Sequence, residues 1–127
     1  MADQPAPVTH APNKLNKRLY VVFTVPVDGD VAGDRAVVRA EHLEYQYELE
    51  RRGIMFAAGP FLNADGQPNG SGLIIYRADS LEAATEIAKN DPFHRHGFRT
   101  FTIMPWRVSE GTFSVRVNYS SGTYHFD

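Results

Sequence analysis

The order of strand-like and helix-like segments between Arg18 and Arg107 is the feature that most limits what this chain can fold into. The first segment is rich in β-branched and aromatic residues, the second consists mostly of helix formers, and two strands, a helix and a strand follow. The predicted strands are 18–25, 54–62, 72–77 and 99–107, and the predicted helices are 34–52 and 81–89. This order matches the ferredoxin-like βαββαβ motif, in which one antiparallel sheet carries two helices on one face. The sequence therefore predicts an α+β fold.

Local signals mark the ends of these segments. Asp34 is a candidate N-cap for the first helix. For the second helix, Asp79 and Glu82 have the spacing of a reciprocal capping box, and Pro92 requires the helix to end before it. Pro105 places the last strand at a sheet edge or close to a strand end.

The chain extends beyond this motif at both ends. Residues 1–17 are proline-rich and are predicted to form a flexible tail, whereas 18–108 form the folded domain. From 112 to 124, apolar and polar residues alternate, which predicts a fifth strand within a C-terminal extension at 109–127. Two helices cover only one face of the sheet, so an apolar opposite face needs a partner. We therefore expect a homodimer or a higher homo-oligomer, with the extension at the interface.

Composition and charge argue against several classes of partner. The net charge of −2, spread over interspersed acidic and basic residues, lacks the field that captures nucleic acid or an anionic membrane surface. The chain has no cysteine, which excludes disulfides, thiolate nucleophiles and cysteine-type zinc sites. The glycines form no phosphate-binding loop between a strand and a helix, and the N-terminus lacks the apolar core of a secretory signal. We expect a cytoplasmic protein without a cofactor, a nucleic-acid partner or membrane association.

A row of polar side chains on the first helix indicates either a site or a buried polar network. At about 100° per residue, Arg39, His42, Gln46 and Glu50 form one row with apolar residues on both sides. Such a row near a sheet is unfavourable unless its groups find partners or face a pocket. Two interpretations remain open: His42 is a hydrogen-bonded boundary histidine, or it lies in a ligand pocket.

Asp91 has both a structural and a chemical interpretation. Asp91–Pro92, followed by Gly97, fits a single helical turn with Asp91 as its N-cap. The carboxylate can also cap with one oxygen and orient an imidazole with the other. If that imidazole is His42, the contact sets its tautomer and raises its basicity, as general acid–base catalysis requires. His42 and Asp91 are therefore the candidate catalytic pair.

Other polar residues near these segments carry weaker signals. His94 and His96 would chelate a metal only in an extended backbone, and no third ligand stands at a recognisable interval. We therefore predict no metal site. Ser71 either offers its hydroxyl to a ligand or caps its own turn.

Four short motifs follow one another along the chain: Arg39-x-x-His42-Leu43, Ala58–Gly59–Pro60, Asp91–Pro92–Phe93 and Met104–Pro105–Trp106. Together they resemble the YciI-like (YCII-related) family of the dimeric α+β barrel superfamily, over residues 18–108. The resemblance implies a ferredoxin-like protomer that pairs sheet to sheet, and a cleft that holds His42 and Asp91 together. Most members of that family have no assigned reaction. A minority resemble dehydrochlorinases or lactone isomerases acting on products of aromatic-ring degradation.

The leading functional hypothesis is a cofactor-independent lyase or isomerase for a small organic molecule. His42 would be its general base or acid, Asp91 would orient His42, and Arg39 would hold an anionic oxygen of the ligand. The predicted ligand-binding residues are Arg39, Tyr45, Gly59, Pro60, Ser71, His94 and Trp106. Two alternatives remain: a non-catalytic small-molecule-binding or regulatory dimer that uses the same cleft, and a cofactor-free monooxygenase of the same superfamily.

Overall fold

A computed structural model describes residues 17–126. The strands are Lys17–Pro26 (β1), Met55–Leu62 (β2), Pro68–Tyr76 (β3), Arg99–Val108 (β4), Val115–Asn118 (β5) and Thr123–Phe126 (β6). The helices are Arg35–Arg51 (α1), Leu81–Lys89 (α2) and Pro92–Arg95 (α3). The predicted flexible tail at 1–17 lies outside the described residues except for Lys17, which begins β1.

Residues 18–107 form one compact unit that is built on a four-stranded sheet. The strand order is β2-β3-β1-β4, and β3 runs antiparallel to both β1 and β2. This arrangement confirms the predicted α+β, ferredoxin-like motif. β4 lies at an edge of the sheet, which is a position that tolerates Pro105.

The two longer helices begin at polar caps, one of which was predicted correctly. The Asp34 carboxylate accepts from two backbone N–H groups in the first turn of α1, at 3.0 and 3.4 Å. At α2 the predicted Asp79 cap is wrong, because the Ser80 hydroxyl accepts from the Ala83 amide at 3.0 Å. Ser80 stands directly before the first helical residue, where its side chain reaches the free N–H groups, whereas Asp79 is one residue too early.

Both longer helices cover the same face of the sheet. Val22 and Ile74 are direct partners across β1 and β3, and Tyr76 lies two residues along, so all three point to one side. Leu49 of α1 and Ala88 of α2 complete this buried core. The packing fixes α1 over the sheet and thereby positions the polar side chains of that helix.

The opposite face of the sheet keeps large apolar side chains partly exposed. The exposed fraction is 38% for Phe23 and 44% for Trp106. Phe23 stacks on Phe61 with the ring centroids 6.5 Å apart. Trp106 belongs to this face because Phe101 and Ile103 of the same strand pack against the helix-side core, and side chains alternate along a strand.

Residues 108–126, together with Lys17, belong to a second unit that contains a β-hairpin instead of the single predicted strand. β5 and β6 pair antiparallel, with Val115 opposite Phe126 and Asn118 opposite Thr123. The chain reverses through Gly122, whose φ of 65° costs a glycine little. Two strands that flank a turn have the same period of two as one long strand, so the alternation alone does not separate them.

Candidate active site

A cleft of about 620 Å³ opens beside α1 in the unit formed by residues 18–107. Its wall is mostly apolar, with contributions from Leu43 of α1 and from Met55 and Phe56 of β2. A space of this volume is in the range that encloses a small organic ligand. The predicted site residues that line it are His42, Gly59, Pro60, Ser71, Asp91 and His94.

The packing of α1 against α3 brings His42 and Asp91 into contact. Nδ1 of His42 lies 2.8 Å from Oδ1 of Asp91 and 2.9 Å from Oδ2. The Asp91 side chain is 1% exposed, and the His42 side chain is 20% exposed. The imidazole also packs on the ring of Phe93, with the centroids 4.6 Å apart. The partly exposed imidazole also lines the cleft.

Asp91 is surrounded by hydrogen-bond donors. The Phe93 amide donates to Oδ1 at 3.0 Å, and Gln46 Nε2 donates to Oδ2 at 2.7 Å, in addition to the bonds from His42. A buried carboxyl group is tolerated only when donors surround it in this way. Gln46 stands one turn after His42 on α1, so both side chains reach the same acceptor. Asp91 therefore caps α3 and orients His42 at the same time.

Two buried polar atoms belong to side chains that interact with Asp91. Among residues 17–126, Gln46 Oε1 and the Tyr76 hydroxyl have no hydrogen-bond partner. Desolvation raises the pKa of Tyr76, and the charge of Asp91 raises it further. The nearby Gln46 amide partly lowers it, although its Oε1 does not meet hydrogen-bond geometry. Because its pKa is raised, Tyr76 remains a neutral phenol near neutral pH and is not a candidate base.

The Asp91 contacts determine which nitrogen of His42 carries the proton. Since Asp91 accepts from Gln46 and Phe93, its oxygens act as acceptors, and Nδ1 of His42 must donate. In the neutral ring, Nε2 then has a free lone pair. No described residue forms a hydrogen bond with Nε2, and the ring lines the cleft. This arrangement can take a proton from a ligand and return it.

A second imidazole in the cleft has both nitrogens in use. His94 Nδ1 donates to the Ala88 carbonyl at 2.7 Å, so Nε2 accepts from the Thr24 hydroxyl at 2.8 Å. Thr24 in turn accepts from Nε of Arg99 at 3.0 Å. Desolvation lowers the pKa of His94 and favours its neutral form. His94 is therefore a neutral acceptor in a fixed network.

Lowering the pH should decrease the free energy of unfolding, partly because His94 becomes protonated more readily in the unfolded chain. Because its pKa in the folded chain lies below the unfolded value, the unfolded chain takes up the proton first. The stabilising contribution is therefore complete above about pH 6.5 and is lost as the pH falls through the folded-state pKa. In urea unfolding at about pH 7.5 and about pH 5, the wild type should lose more stability than His94→Gln. The exposed-histidine control His96→Gln should keep the wild-type pH dependence, and an equal loss in His94→Gln would contradict the prediction.

Three predicted ligand-binding residues do not line the cleft. Arg39 is exposed on α1. Tyr45 donates its hydroxyl to the Ile87 carbonyl at 2.7 Å and thus faces α2. Trp106 lies on the opposite face of the sheet. A helical wheel gives relative positions around α1, but it does not say which side meets the sheet and which side meets α2.

The cleft also contains residues that the sequence analysis did not single out as ligand-binding. Thr24 and Gly72 are direct partners across β1 and β3, and Arg99 bonds to Thr24. A Cβ atom on Gly72 would lie 3.3 Å from both Thr24 Cγ2 and the Gly59 carbonyl, so glycine keeps this part of the cleft open. Gly72 is the first residue of the predicted strand and lies inside β3, and a glycine in a strand often marks such a close approach. Arg99 has no comparable signal in the sequence.

The described residues offer no ready-made metal site. Among residues 17–126, no group of three or more His, Cys, Asp and Glu side chains stands where it would hold a metal ion. His94 and His96 point to different partners, because His94 is bonded to Thr24 and Ala88 whereas His96 lies 3.6 Å from Glu41. Within the same range, no helix is long and apolar enough to cross a membrane.

The fold and the site together define a ferredoxin-like α+β protein with a histidine–aspartate pair in a ligand-sized cleft. The family model of the YCII-related domain matches residues 19–107, a range that contains the whole cleft. The chain therefore belongs to the YCII-related family, which confirms the resemblance seen in its motifs. The uncharacterized protein YjpA of Bacillus subtilis (strain 168) is 37% identical over an alignment of 76 residues, and the match covers 55% of this chain and 81% of YjpA.

A solved structure of the same fold is 5-chloro-2-hydroxyhydroquinone dehydrochlorinase (TftG) from Burkholderia phenoliruptrix AC1100, in complex with 2,5-dihydroxybenzoquinone. The likeness has a TM-score of 0.54 and covers 73% of this chain and 95% of that chain. The sequence identity is 24%, so this comparison supports the fold and leaves the reaction to be argued from the cleft.

Proposed function

We propose that this protein is a cofactor-independent lyase or isomerase that moves a proton of a small organic molecule through His42. The proposal rests chiefly on the 2.8 Å contact between His42 Nδ1 and Asp91 Oδ1, which leaves Nε2 with a lone pair at the cleft. Asp91 orients the ring and stabilises the imidazolium that forms when Nε2 takes up a proton.

A balanced reaction needs only this pair. Nε2 of His42 removes a proton from a carbon next to a ligand carbonyl, the C–H electron pair forms a C=C bond, and the carbonyl π pair moves onto oxygen. In an isomerisation, the imidazolium returns the proton to a different atom of the ligand. In an elimination, the enolate electrons instead expel a leaving group with its bonding pair from the neighbouring carbon, and the imidazolium releases its proton to water. Neither route needs an oxidant or a reductant.

The chemistry of the cleft favours a small cyclic ligand with polar substituents. The wall is largely apolar, whereas His42, His94 and Arg99 lie along the same space. A ring with hydroxyl, oxo or carboxylate groups matches that mixture. The dehydrochlorinase of the same fold was solved with 2,5-dihydroxybenzoquinone, a compound of this kind.

A panel of lactones, hydroxyquinones, phenols and small acids, incubated with the protein in D2O, tests the proposal. An enzyme of the proposed type incorporates deuterium into a ligand or forms a product, both of which NMR and mass spectrometry detect. A binding or regulatory protein raises the melting temperature with a ligand but gives neither exchange nor product. A monooxygenase consumes oxygen. Binding without exchange or product across the panel would contradict the proposal.

We also propose that two copies pair through the exposed face of the sheet, with the C-terminal extension at the interface. Phe23 and Trp106 supply partly exposed apolar area on that face. In the hairpin unit, Phe113 and Tyr124 are 76% and 64% exposed. Apolar surfaces of this kind mark contact sites between proteins.

Phe23→Asp is expected to convert the dimer into a monomer, because pairing would bury an unpaired carboxylate. The mass in solution, measured by light scattering, should fall by about half. Val37→Asp introduces the same charge at an exposed apolar residue of α1 and should leave the mass unchanged. A monomeric wild type, or an unchanged mass for Phe23→Asp, would rule out pairing through this face.

A further inference from the structure

Arg99 presents a partly used guanidinium group to the cleft. Its Nε donates to the Thr24 hydroxyl at 3.0 Å, and its Nη2 donates to the carbonyls of Thr24 and Gly70 at 3.0 and 2.7 Å. These bonds use every N–H of Nε and Nη2. The two N–H groups of Nη1 donate to no residue in the part of the chain that the structure describes. Two charged donors are therefore available at a concave surface.

The charge of Arg99 is only partly compensated. Arg99 forms no ion pair with a carboxylate among residues 17–126. Desolvation lowers its pKa, and the charge of Arg35 lowers it further, whereas Asp91 raises it. A guanidinium group nevertheless stays charged, so the cleft contains a partly desolvated cation without a direct anionic partner. An anion that binds there gains charge-assisted hydrogen bonds and relieves this unfavourable state.

The position of Arg99 is fixed before any ligand arrives. Thr24, which is 6% exposed, accepts from Arg99 and donates to His94, and His94 is held by the Ala88 carbonyl. This chain links Arg99 to β1 and to the end of α2. A donor that is held in place by its neighbours loses little entropy when it binds a ligand, which makes it an effective recognition group.

Arg99 and His42 line the same cleft, so one ligand can reach both. Glu50 also lines the cleft, but it follows His42 by eight residues on α1, about 12 Å along the helix axis. It forms no ion pair with Arg99. Among residues 17–126 the guanidinium group therefore has no ion-pair partner, and only the more distant charge of Asp91 acts on it, while it lines the same space as the proposed base.

We propose that Nη1 of Arg99 binds an anionic oxygen of a single-ring ligand, namely a carboxylate, phenolate or enolate oxygen, and thereby turns the ring toward His42 Nε2. Arg99 takes the role that the sequence analysis gave to Arg39. The orientation toward His42 rests on the proposed function, whereas anion binding by Arg99 does not. The two are therefore separable by experiment.

Calorimetric titration of the full chain with 4-hydroxybenzoate and with its neutral analogue 4-hydroxybenzamide tests this assignment. The wild type should bind the anion more tightly than the amide. Arg99→Gln should bind the anion about ten- to a hundredfold more weakly, because a hydrogen bond to a charged group contributes on the order of 1.5–3 kcal/mol. Binding of the amide should change little, which shows that the variant still has an intact cleft. Arg39→Gln is the matched control and should bind both probes like the wild type.

Two further variants separate the possible outcomes. Arg99→Lys keeps the charge and should retain part of the preference for the anion. His42→Gln should keep that preference while losing turnover, so a failed catalytic proposal leaves the anion site standing. An undiminished preference in Arg99→Gln, a wild type without a preference, or a wild type that binds neither probe would overturn the assignment. Loss of binding for both probes in Arg99→Gln, with normal binding in Arg99→Lys, would assign Arg99 a structural role instead.

Discussion

His42→Gln should lower the turnover of a substrate found in the ligand panel by about 10²- to 10⁴-fold, the usual contribution of a positioned general acid or base. Glutamine still donates a hydrogen bond to Asp91, so the buried carboxylate keeps its donors and the fold should persist. It has no nitrogen lone pair for a proton at the cleft. The loss should appear in kcat, because Arg99 and the apolar wall still bind the ligand.

A control variant and a stability measurement test whether a loss of turnover in His42→Gln comes from the loss of the His42 imidazole itself. His96→Gln removes an imidazole that is 44% exposed and lies near Glu41, and it should leave turnover unchanged. Thermal unfolding of His42→Gln should resemble that of the wild type. If His42→Gln keeps activity within tenfold of the wild type, proton transfer by His42 is excluded.

Asp91→Asn should reduce turnover by roughly 10²- to 10⁴-fold while preserving most of the stability. Asparagine is as good an N-cap as aspartate, so the bond from the Phe93 amide survives. An amide group at the position of Oδ2 would, however, place a donor close to Nδ1 of His42, where 2.9 Å now separates acceptor and donor. The oxygen at the position of Oδ1 can still accept from Nδ1, but the opposed donor weakens the preference for that tautomer, and the negative charge that stabilises the imidazolium is gone.

Asp91→Ala should lose both activity and stability. The substitution removes the cap of α3 and leaves the donors of His42 and Gln46 without an acceptor in a buried site. The expected loss is about 2–4 kcal/mol, measured by urea denaturation against Asp91→Asn. Equal stabilities for the alanine and asparagine variants would show that the hydrogen bonds of Asp91 contribute little to the fold.

The parts of the site that depend on local signals were predictable from the sequence. Asp34 and the Asp91–Pro92 pair mark helix starts by their own side chains, and these boundaries hold in the structure. The row that contains His42 and Gln46 follows from helical periodicity alone, and the structure places both against Asp91. The double role of Asp91, as a helix cap and as a partner of an imidazole, could be predicted because a carboxylate has two oxygens that accept hydrogen bonds.

The parts that depend on how elements pack were not predictable. Tyr45 belongs to an apolar stripe on α1, but only the position of α2 decides that its hydroxyl meets Ile87 and not the cleft. Arg99 reaches the cleft through bonds to Thr24 and Gly70, which are 75 and 29 positions away. The sequence around Tyr45 and around Arg99 contains no local pattern that predicts these long-range contacts. The C-terminal hairpin was predicted as a single strand because apolar and polar residues alternate with the same period in one strand as in two.

The tautomer of His42 is the most direct test of the central claim, and it needs no substrate. Nitrogen-15 NMR of histidine-labelled protein, at a pH where the ring is neutral, distinguishes a protonated ring nitrogen from one with a lone pair. For His42 we expect a protonated Nδ1 and an unprotonated Nε2 in the wild type, with a weaker preference for that tautomer in Asp91→Asn. A wild-type ring that carries its proton on Nε2 would contradict the claim that Asp91 prepares His42 as a base.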